Sequence, residues 1–340
     1  MSIPIVAFFN NKGGVGKTTL VYHLAWMYAD LGARVLAADL DPQANLTSAF
    51  LDEDQLQELW PEGSHTRTVY GCVEPLLRGV GDIAPAHVDW VSDRLALIAG
   101  DLALSGFEDE LSSQWPACMD RKERAFRVTS SFWRLLQAAA SSCGAGLILI
   151  DLGPNLGAIN RASLIAADFV VVPLSPDLFS LQGLRNLGPA FRRWREEWKE
   201  RLEKNPSPDL ELPMGSMKPA GYIVLQHAVR LDRPVQAYTK WIGRIPGDYR
   251  RNVLDDESED QLTVAGDPNN LALLKHYRSL MPLAQEARKP IFHLTAADGA
   301  IGAHSAAAKA AFTDFSELAL RIAERVEASA SVLPPLLREA

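Results

Sequence analysis

Asn10-Asn11-Lys12-Gly13-Gly14-Val15-Gly16-Lys17-Thr18-Thr19 is the stretch on which the fold turns. Before it, Ile3 to Phe9 is short, continuous and apolar, and reads as a buried strand that runs into a loop. After it, Leu20, Val21, Leu24, Met27 and Tyr28 recur at helical spacing, and Gly32 stands where a helix-ending glycine belongs. Strand, glycine-rich loop and helix in that order predict a phosphate-binding loop. Gly13, Gly14 and Gly16 let the backbone turn successive N–H groups toward phosphate oxygens, with Val15 inside the same wrap. The helix start at Thr18 and Thr19 adds its positive dipole end. Lys17 brings a cation to the β- and γ-phosphates, and the Thr18 hydroxyl is a hard oxygen ligand for Mg²⁺. ATP and Mg²⁺ are therefore the expected cofactors.

Working outward, Arg34 to Ala38 is a second strand ended by Asp39, which completes a βαβ unit and predicts parallel pairing. Further strand-like runs are Leu95–Ala99, Leu147–Ile150, Phe169–Leu174, Tyr222–Leu225 and Trp241–Ile245, most of them separated by helical stretches. The fold class is α/β: a doubly wound, mostly parallel sheet flanked by helices. Residues 1–330 read as a single domain with insertions near 51–92 and 199–219, followed by a tail at 331–340.

The chain has 340 residues, 47% hydrophobic and 22% charged, enough apolar material for a sizeable core. Its net charge of -8 excludes a broadly basic nucleic-acid surface, though not a local basic patch. Cys72, Cys118 and Cys143 form no CxxC pair and no metal-ligand spacing, which suits a reducing, cytoplasmic compartment. Met1 leads into an apolar run without a basic segment, and no apolar stretch approaches the ~20 residues of a membrane span, so neither a signal peptide nor a spanning helix is expected.

Leu147-Ile148-Leu149-Ile150-Asp151 is an apolar strand that ends in a carboxylate, the Walker B arrangement. Asp151 is expected to hold Mg²⁺ through water, because Mg²⁺ keeps several waters in such sites.

A strict phosphate loop has glycine at position 11; here Asn11 is followed by Lys12-Gly13-Gly14. This variant, the deviant Walker A, resembles the ParA/MinD family of P-loop ATPases. Asp39-Leu40-Asp41-Pro42-Gln43-Ala44-Asn45 is similar to that family's DxDPQxN segment. Thr68-Val69-Tyr70, Leu97–Ser105 and Ala166–Leu184 resemble family elements in the same order. The likeness is specific over roughly 3–50 and 94–190 and weaker from 221 to 325. Gly153 and Asn155 depart from it, standing where the family has proline and serine.

By this resemblance, Lys12 reaches across a dimer to the partner's ATP, Asp41 positions or activates the attacking water, and Asp39 supports the Mg²⁺ shell. Lys12, Lys17 and Asp41 are thus the catalytic candidates, and Thr18, Asp39 and Asp151 the metal candidates. Gln226 and Pro246 are expected at the two strand ends that contact adenine; an amide suits adenine because it donates and accepts at once. The function implied is that of a ParA/Soj-like ATPase without an N-terminal helix-turn-helix. It would form an ATP-sandwich homodimer, bind DNA nonspecifically, and hydrolyse ATP slowly under stimulation by a ParB-like partner, so as to partition DNA. The alternative is a nucleotide-gated regulatory or positioning subunit of a protein complex without direct DNA binding.

Candidate DNA contacts are Arg185, Arg192, Arg193, Arg195, Arg244, Arg250 and Arg251. Near the C-terminus, Phe315, Leu318, Ile322 and Val326 form an apolar stripe interspersed with Glu317, Glu324 and Glu327. Acidic residues around the stripe predict packing on the sheet rather than membrane binding.

Overall fold

Strands β1 (Ile5–Phe8), β2 (Val35–Asp39), β3 (Asp89–Ser92), β4 (Leu95–Ile98), β5 (Leu147–Asp151), β6 (Phe169–Leu174), β7 (Lys218–Leu225) and β8 (Asn270–Leu274) build one sheet in the order β3-β4-β2-β5-β1-β6-β7-β8. All neighbours are parallel except β3 and β4. The computed structural model describes residues 2–225, 240–258, 262–275, 277 and 279–327. The doubly wound α/β expectation holds. The chain crosses from β1 over β5 to β2, so the C-terminal ends of these three central strands lie side by side.

The strands are apolar on both faces because both faces are covered. Ile5 and Ala7 of β1 point into one core, Val6 and Phe8 into the other. The first core is closed by α4 (Val69–Leu77), α5 (Glu108–Ala117), α6 (Glu123–Thr129), α7 (Ser131–Cys143), α8 (Ala158–Ala166), α9 (Leu178–Leu202) and α10 (Ile245–Tyr249). The second is closed by α1 (Lys17–Asp30), α2 (Asn45–Phe50), α3 (Glu53–Leu59), α11 (Met281–Ala287) and α12 (Ala303–Glu327). The stripe Phe315, Leu318, Ile322 and Val326 on α12 is fully inside that second core. Burying each such side chain contributes about 1.5–3 kcal/mol, which fixes α12 to the sheet. Among the described residues no helix is long and apolar enough to cross a membrane. All three cysteines are buried and unpaired.

Two expected elements differ. Trp241–Ile245 is helix and turn, not strand: Ile245 opens α10, and Pro246 occupies the first turn, where its missing N–H costs nothing. The strand that extends the sheet beyond β7 is β8 instead. The 51–92 segment holds α3, α4 and β3, so part of it is built of regular elements. The tail at 331–340 lies outside the described residues.

Gly188 of α9 marks the tightest helix contact. A Cβ there would sit 1.6 Å from the Asn252 carbonyl oxygen, so the helix backbone rests directly on the turn Arg250–Leu254.

Candidate nucleotide-binding site

The phosphate loop joins β1 to α1 at the C-terminal edge of the sheet. Gly16 is its tightest point: its φ is 76°, and a Cβ would meet Leu225 Cδ1 at 2.6 Å. The positive φ favours glycine there, whereas the Leu225 methyl is the end of a side chain that can shift. Asn10, fully buried, braces the loop from behind. Its Nδ2 donates to Pro173 O at 2.7 Å, and its Oδ1 accepts the Lys12 N–H at 2.9 Å. Gly183 of α9 leaves room for this brace, since a Cβ would lie 2.9 Å from Asn11 Oδ1 and 3.0 Å from Asn10 Oδ1. Lys17 is buried inside the loop and donates to Asn10 O (3.2 Å) and Lys12 O (3.4 Å). Burial lowers its pKa, while the carboxylates of Asp151 and Asp41 pull the other way.

Two carboxylates, Asp151 and Asp41, act on that lysine, and a third, Asp39, lies beside them. Asp39 and Asp151 end adjacent strands in direct register. Both are fully buried. Asp39 Oδ2 accepts from Thr47 N and Thr47 Oγ1, each at 2.8 Å, and Oδ1 accepts from Asp41 N at 3.3 Å. Thr47 Oγ1 in turn accepts the Gly100 N–H at 2.7 Å, which ties β4 to α2. Burial pushes the Asp39 carboxyl up to about 7, against these hydrogen bonds. Asp151 is raised well above the usual carboxylate range, first by burial and then by the Asp39 charge, with the nearby Thr18 hydroxyl opposing the rise. Its Oδ1 accepts Leu152 N–H at 3.1 Å, whereas Oδ2 is buried without a partner. An orphaned carboxylate oxygen next to Thr18, amid an excess of negative charge, is a donor set suited to Mg²⁺ and its waters. Asp41 follows on the loop after β2, with Oδ1 accepting Gln43 N–H at 3.0 Å. A Cβ at Gly153 would approach Asp41 Oδ1 to 3.1 Å, so the bare backbone at 153 lets the loop after β5 sit against it.

Lys12 stands at the rim. Its Nζ is ion-paired with Asp177, the N-cap of α9. Leu178 and Phe179, the next two residues, are 50% and 71% exposed, and Leu156 on the loop after β5 is also exposed.

Beside the phosphate loop lies an apolar cavity of about 220 Å³. Gly14, Gly16, Thr19 and Leu20 form one side; Leu225, Leu274, Tyr277, Met281, Ile291 and Phe315 lie around it, with Lys275 also in the lining. Leu225 ends β7 and Leu274 ends β8, so two strand ends do meet there. Pro246 is not among the lining residues: it is buried in α10, which packs with Ile245 and Tyr249 into the opposite core. Gln226 follows Leu225 directly but lies outside the described residues. His23 forms the floor. Its Nδ1–H donates to Thr19 O at 2.7 Å, its Nε2 accepts the Ile291 N–H at 3.2 Å, and its ring stacks on Phe315 at 4.9 Å. These partners fix a neutral tautomer, and burial lowers the pKa to about 4. Asn10, Thr47, His23 and Leu274 were not singled out in the sequence; each acts through a partner distant in the chain, which spacing does not reveal.

The seven candidate arginines divide. Arg192 donates to Asn252 O at 2.9 Å and pairs with Asp255 at 3.4 Å, and Arg250 is buried with a bond to Ser258 at 3.0 Å. Arg185 is exposed but lies 3.7 Å from the carboxylate of the buried Asp248, and Arg195 is half-buried. Arg193, Arg244 and Arg251 are exposed.

Comparison with known proteins places this geometry among relatives. Residues 3–204 match the family described as an AAA domain (AAA_31). The chain is 34% identical over 188 residues to protein IncC of Escherichia coli, covering 55% of this chain and 45% of that one. It is 32% identical over 201 residues to the chromosome partitioning protein ParA of Caulobacter vibrioides, covering 59% and 67%. A crystal structure from Corynebacterium diphtheriae superposes with a TM-score of 0.70 at 26% identity, over 95% of this chain and 98% of that one.

Proposed function

Because the chain belongs to the AAA-domain family of P-loop ATPases that includes the ParA partitioning proteins, we propose that it binds Mg-ATP, dimerises around it and hydrolyses it to position DNA. One observation carries this reading: Lys17, Thr18, Asp39, Asp41 and Asp151 converge on the phosphate loop from three adjacent strand ends. Gly13–Thr19 hold the phosphates, Thr18 and the orphaned Asp151 oxygen hold Mg²⁺ with its waters, and Asp41 orients the attacking water. Mg²⁺ supplies neutralisation of the phosphate charge. The protein contributes positioning and electrostatics, which phosphoryl transfer chiefly requires. Asp39 acts at one remove, holding α2 through Thr47. The apolar cavity accepts the adenine ring.

The rim supports a dimer. Lys12 projects where Leu156, Leu178 and Phe179 leave apolar surface exposed. A second copy seated there would bring its γ-phosphate to Lys12 and desolvate the pair, giving ATP differential affinity for the dimer over ADP. Direct DNA binding would fall to Arg193, Arg244 and Arg251. The internal engagement of Arg192 and Arg250 favours the second reading, a nucleotide-gated subunit whose cargo is a protein complex.

Nucleotide titration, turnover and light scattering test the proposal together. Lys17→Ala should lose ATP binding. Asp41→Ala should keep binding and lose turnover by about 100-fold, because water positioning matters in the transition state. Wild-type turnover in Asp41→Ala would remove that residue from the mechanism.

A further inference from the structure

Glu108, the first residue of α5, places both carboxylate oxygens on the start of another helix. Its Oε2 accepts the Ile159 N–H at 2.8 Å, and its Oε1 accepts the Ala158 N–H. These are orphan donors at the N-terminus of α8, where an anion is favoured by the helix dipole. The N-cap of α8 is Gly157, which offers no side chain. A Cβ at Gly157 would lie 2.5 Å from Glu108 Oε1 and 2.9 Å from Asn155 Oδ1, so glycine there makes room for a cap supplied from α5. Gly157→Ser alone must therefore be measured beside the variants below, to isolate its push on Asn155.

The contact leads to the hydrolytic side of the site. Asn160, in the first turn of α8 and 1% exposed, donates through Nδ2 to Gly153 O at 3.0 Å and Asn155 O at 2.7 Å. It thereby holds both ends of the bend that brings Gly153 against Asp41. Glu108 fixes α8, Asn160 transmits that position to residues 153–155, and Gly153 sets the wall that Asp41 faces. We propose that Glu108 is a positioning residue for ATP hydrolysis, clamping the loop after β5 in the register that Asp41 needs. This rests on the reading of Asp41 given above. Glu108 touches no reacting atom; its effect reaches the chemistry through α8.

A cap that only stabilises α8 is separable from one that ties α8 to α5. Glu108→Ala removes both. Adding Gly157→Ser gives α8 its own capping hydroxyl, which restores helix stability without the tether. In Glu108→Ala, turnover is expected to fall about 10-fold or more, with ATP affinity within about 2-fold of wild type, since small misplacements cost rate before binding. In Glu108→Ala/Gly157→Ser, the melting temperature should recover while turnover stays low. Recovery of turnover together with stability would overturn the tether, as would unchanged turnover in Glu108→Ala. Amide exchange across residues 153–160 needs no hydrolysis and is expected to speed up in the double variant. Wild-type protection there would overturn the inference on its own. If the wild type binds ATP without turning it over and the double variant still loses protection, the role of Asp41 fails and the tether stands.

Discussion

Lys12 and Asp177 form an ion pair that joins the phosphate loop to the N-terminus of α9, while Asp177 Oδ1 also caps that helix by accepting Ser180 N–H at 2.9 Å. Both partners are partly exposed, 27% and 35%, so the pair is weak enough to exchange. Exposed pairs are worth about 1 kcal/mol or less. Asp177→Asn keeps a good capping acceptor and removes the charge that holds Lys12 in its own subunit. The ATP-dependent dimer of an Asp41→Ala background should then tighten by up to about 5-fold, measured by sedimentation. Lys12→Ala should stay monomeric with ATP. A weaker dimer in Asp177→Asn would mean that the pair supports association instead of competing with it.

Asp39 and Asp151 suggest a substitution with opposite effects on stability and activity. The two are buried in register: after burial itself, the Asp39 charge raises the Asp151 carboxyl, while the Asp39 carboxyl is raised by burial and further by Asp41. Asp151→Asn should stabilise the ligand-free protein by about 1 kcal/mol or more. It should also lower Mg²⁺-dependent turnover by about 100-fold. Calorimetry and phosphate release read the two effects, and a destabilised Asp151→Asn would contradict the repulsion.

His23 gives a pH signature. Its folded pKa of about 4 lies below the unfolded 6.5, so the folded state binds fewer protons. Its contribution is present in full above pH 6.5 and is lost as pH falls toward 4, to a total of about 3 kcal/mol. The raised Asp39 and Asp151 carboxyls act in the opposite direction over an overlapping range. The effect is therefore read as the stability difference between wild type and His23→Asn, which should shrink between pH 7 and 4. A constant difference would show that burial of the neutral ring is not what His23 contributes.

If the protein holds DNA directly, Arg193→Ala, Arg244→Ala and Arg251→Ala should each reduce the log–log salt slope of ATP-dependent binding by about 0.9. Arg192→Ala should leave the slope alone and lower the melting temperature, because its partners are Asn252 and Asp255. Gel shifts with plasmid DNA at low salt make the comparison. Absence of any ATP-dependent retention would favour a protein cargo.

The first fifty residues are legible because their structure is local. β1, the glycine loop and α1 are contiguous, and Gly32 ends its helix in the positive-φ conformation expected, at 91°. The Trp241–Ile245 run is apolar like a strand, yet Pro246 behind it signalled a helix start, and α10 packs on α9. β8 is a half-buried edge strand whose pattern is weaker than that of the central ones. With β8 unread in the sequence, Leu274 carries no sign that it lines the cavity beside the phosphate loop. Glu108, Asn160 and His23 carry no motif, since each bonds backbone far away or within one turn and such pairings leave no spacing pattern.

Gly188 would look catalytic in a saturation library. Every other amino acid there must displace either α9 or the Asn252 carbonyl, which sits 1.6 Å from where a Cβ would be. α9 also carries Asp177 at its head, so a helix pushed outward at position 188 drags the partner of Lys12 with it. Loss of activity at 188 would therefore spread along the helix and be mistaken for an active-site defect. Scoring cellular abundance beside activity separates the two, because variants at 188 should drop in both, whereas those at Lys17 should keep their abundance.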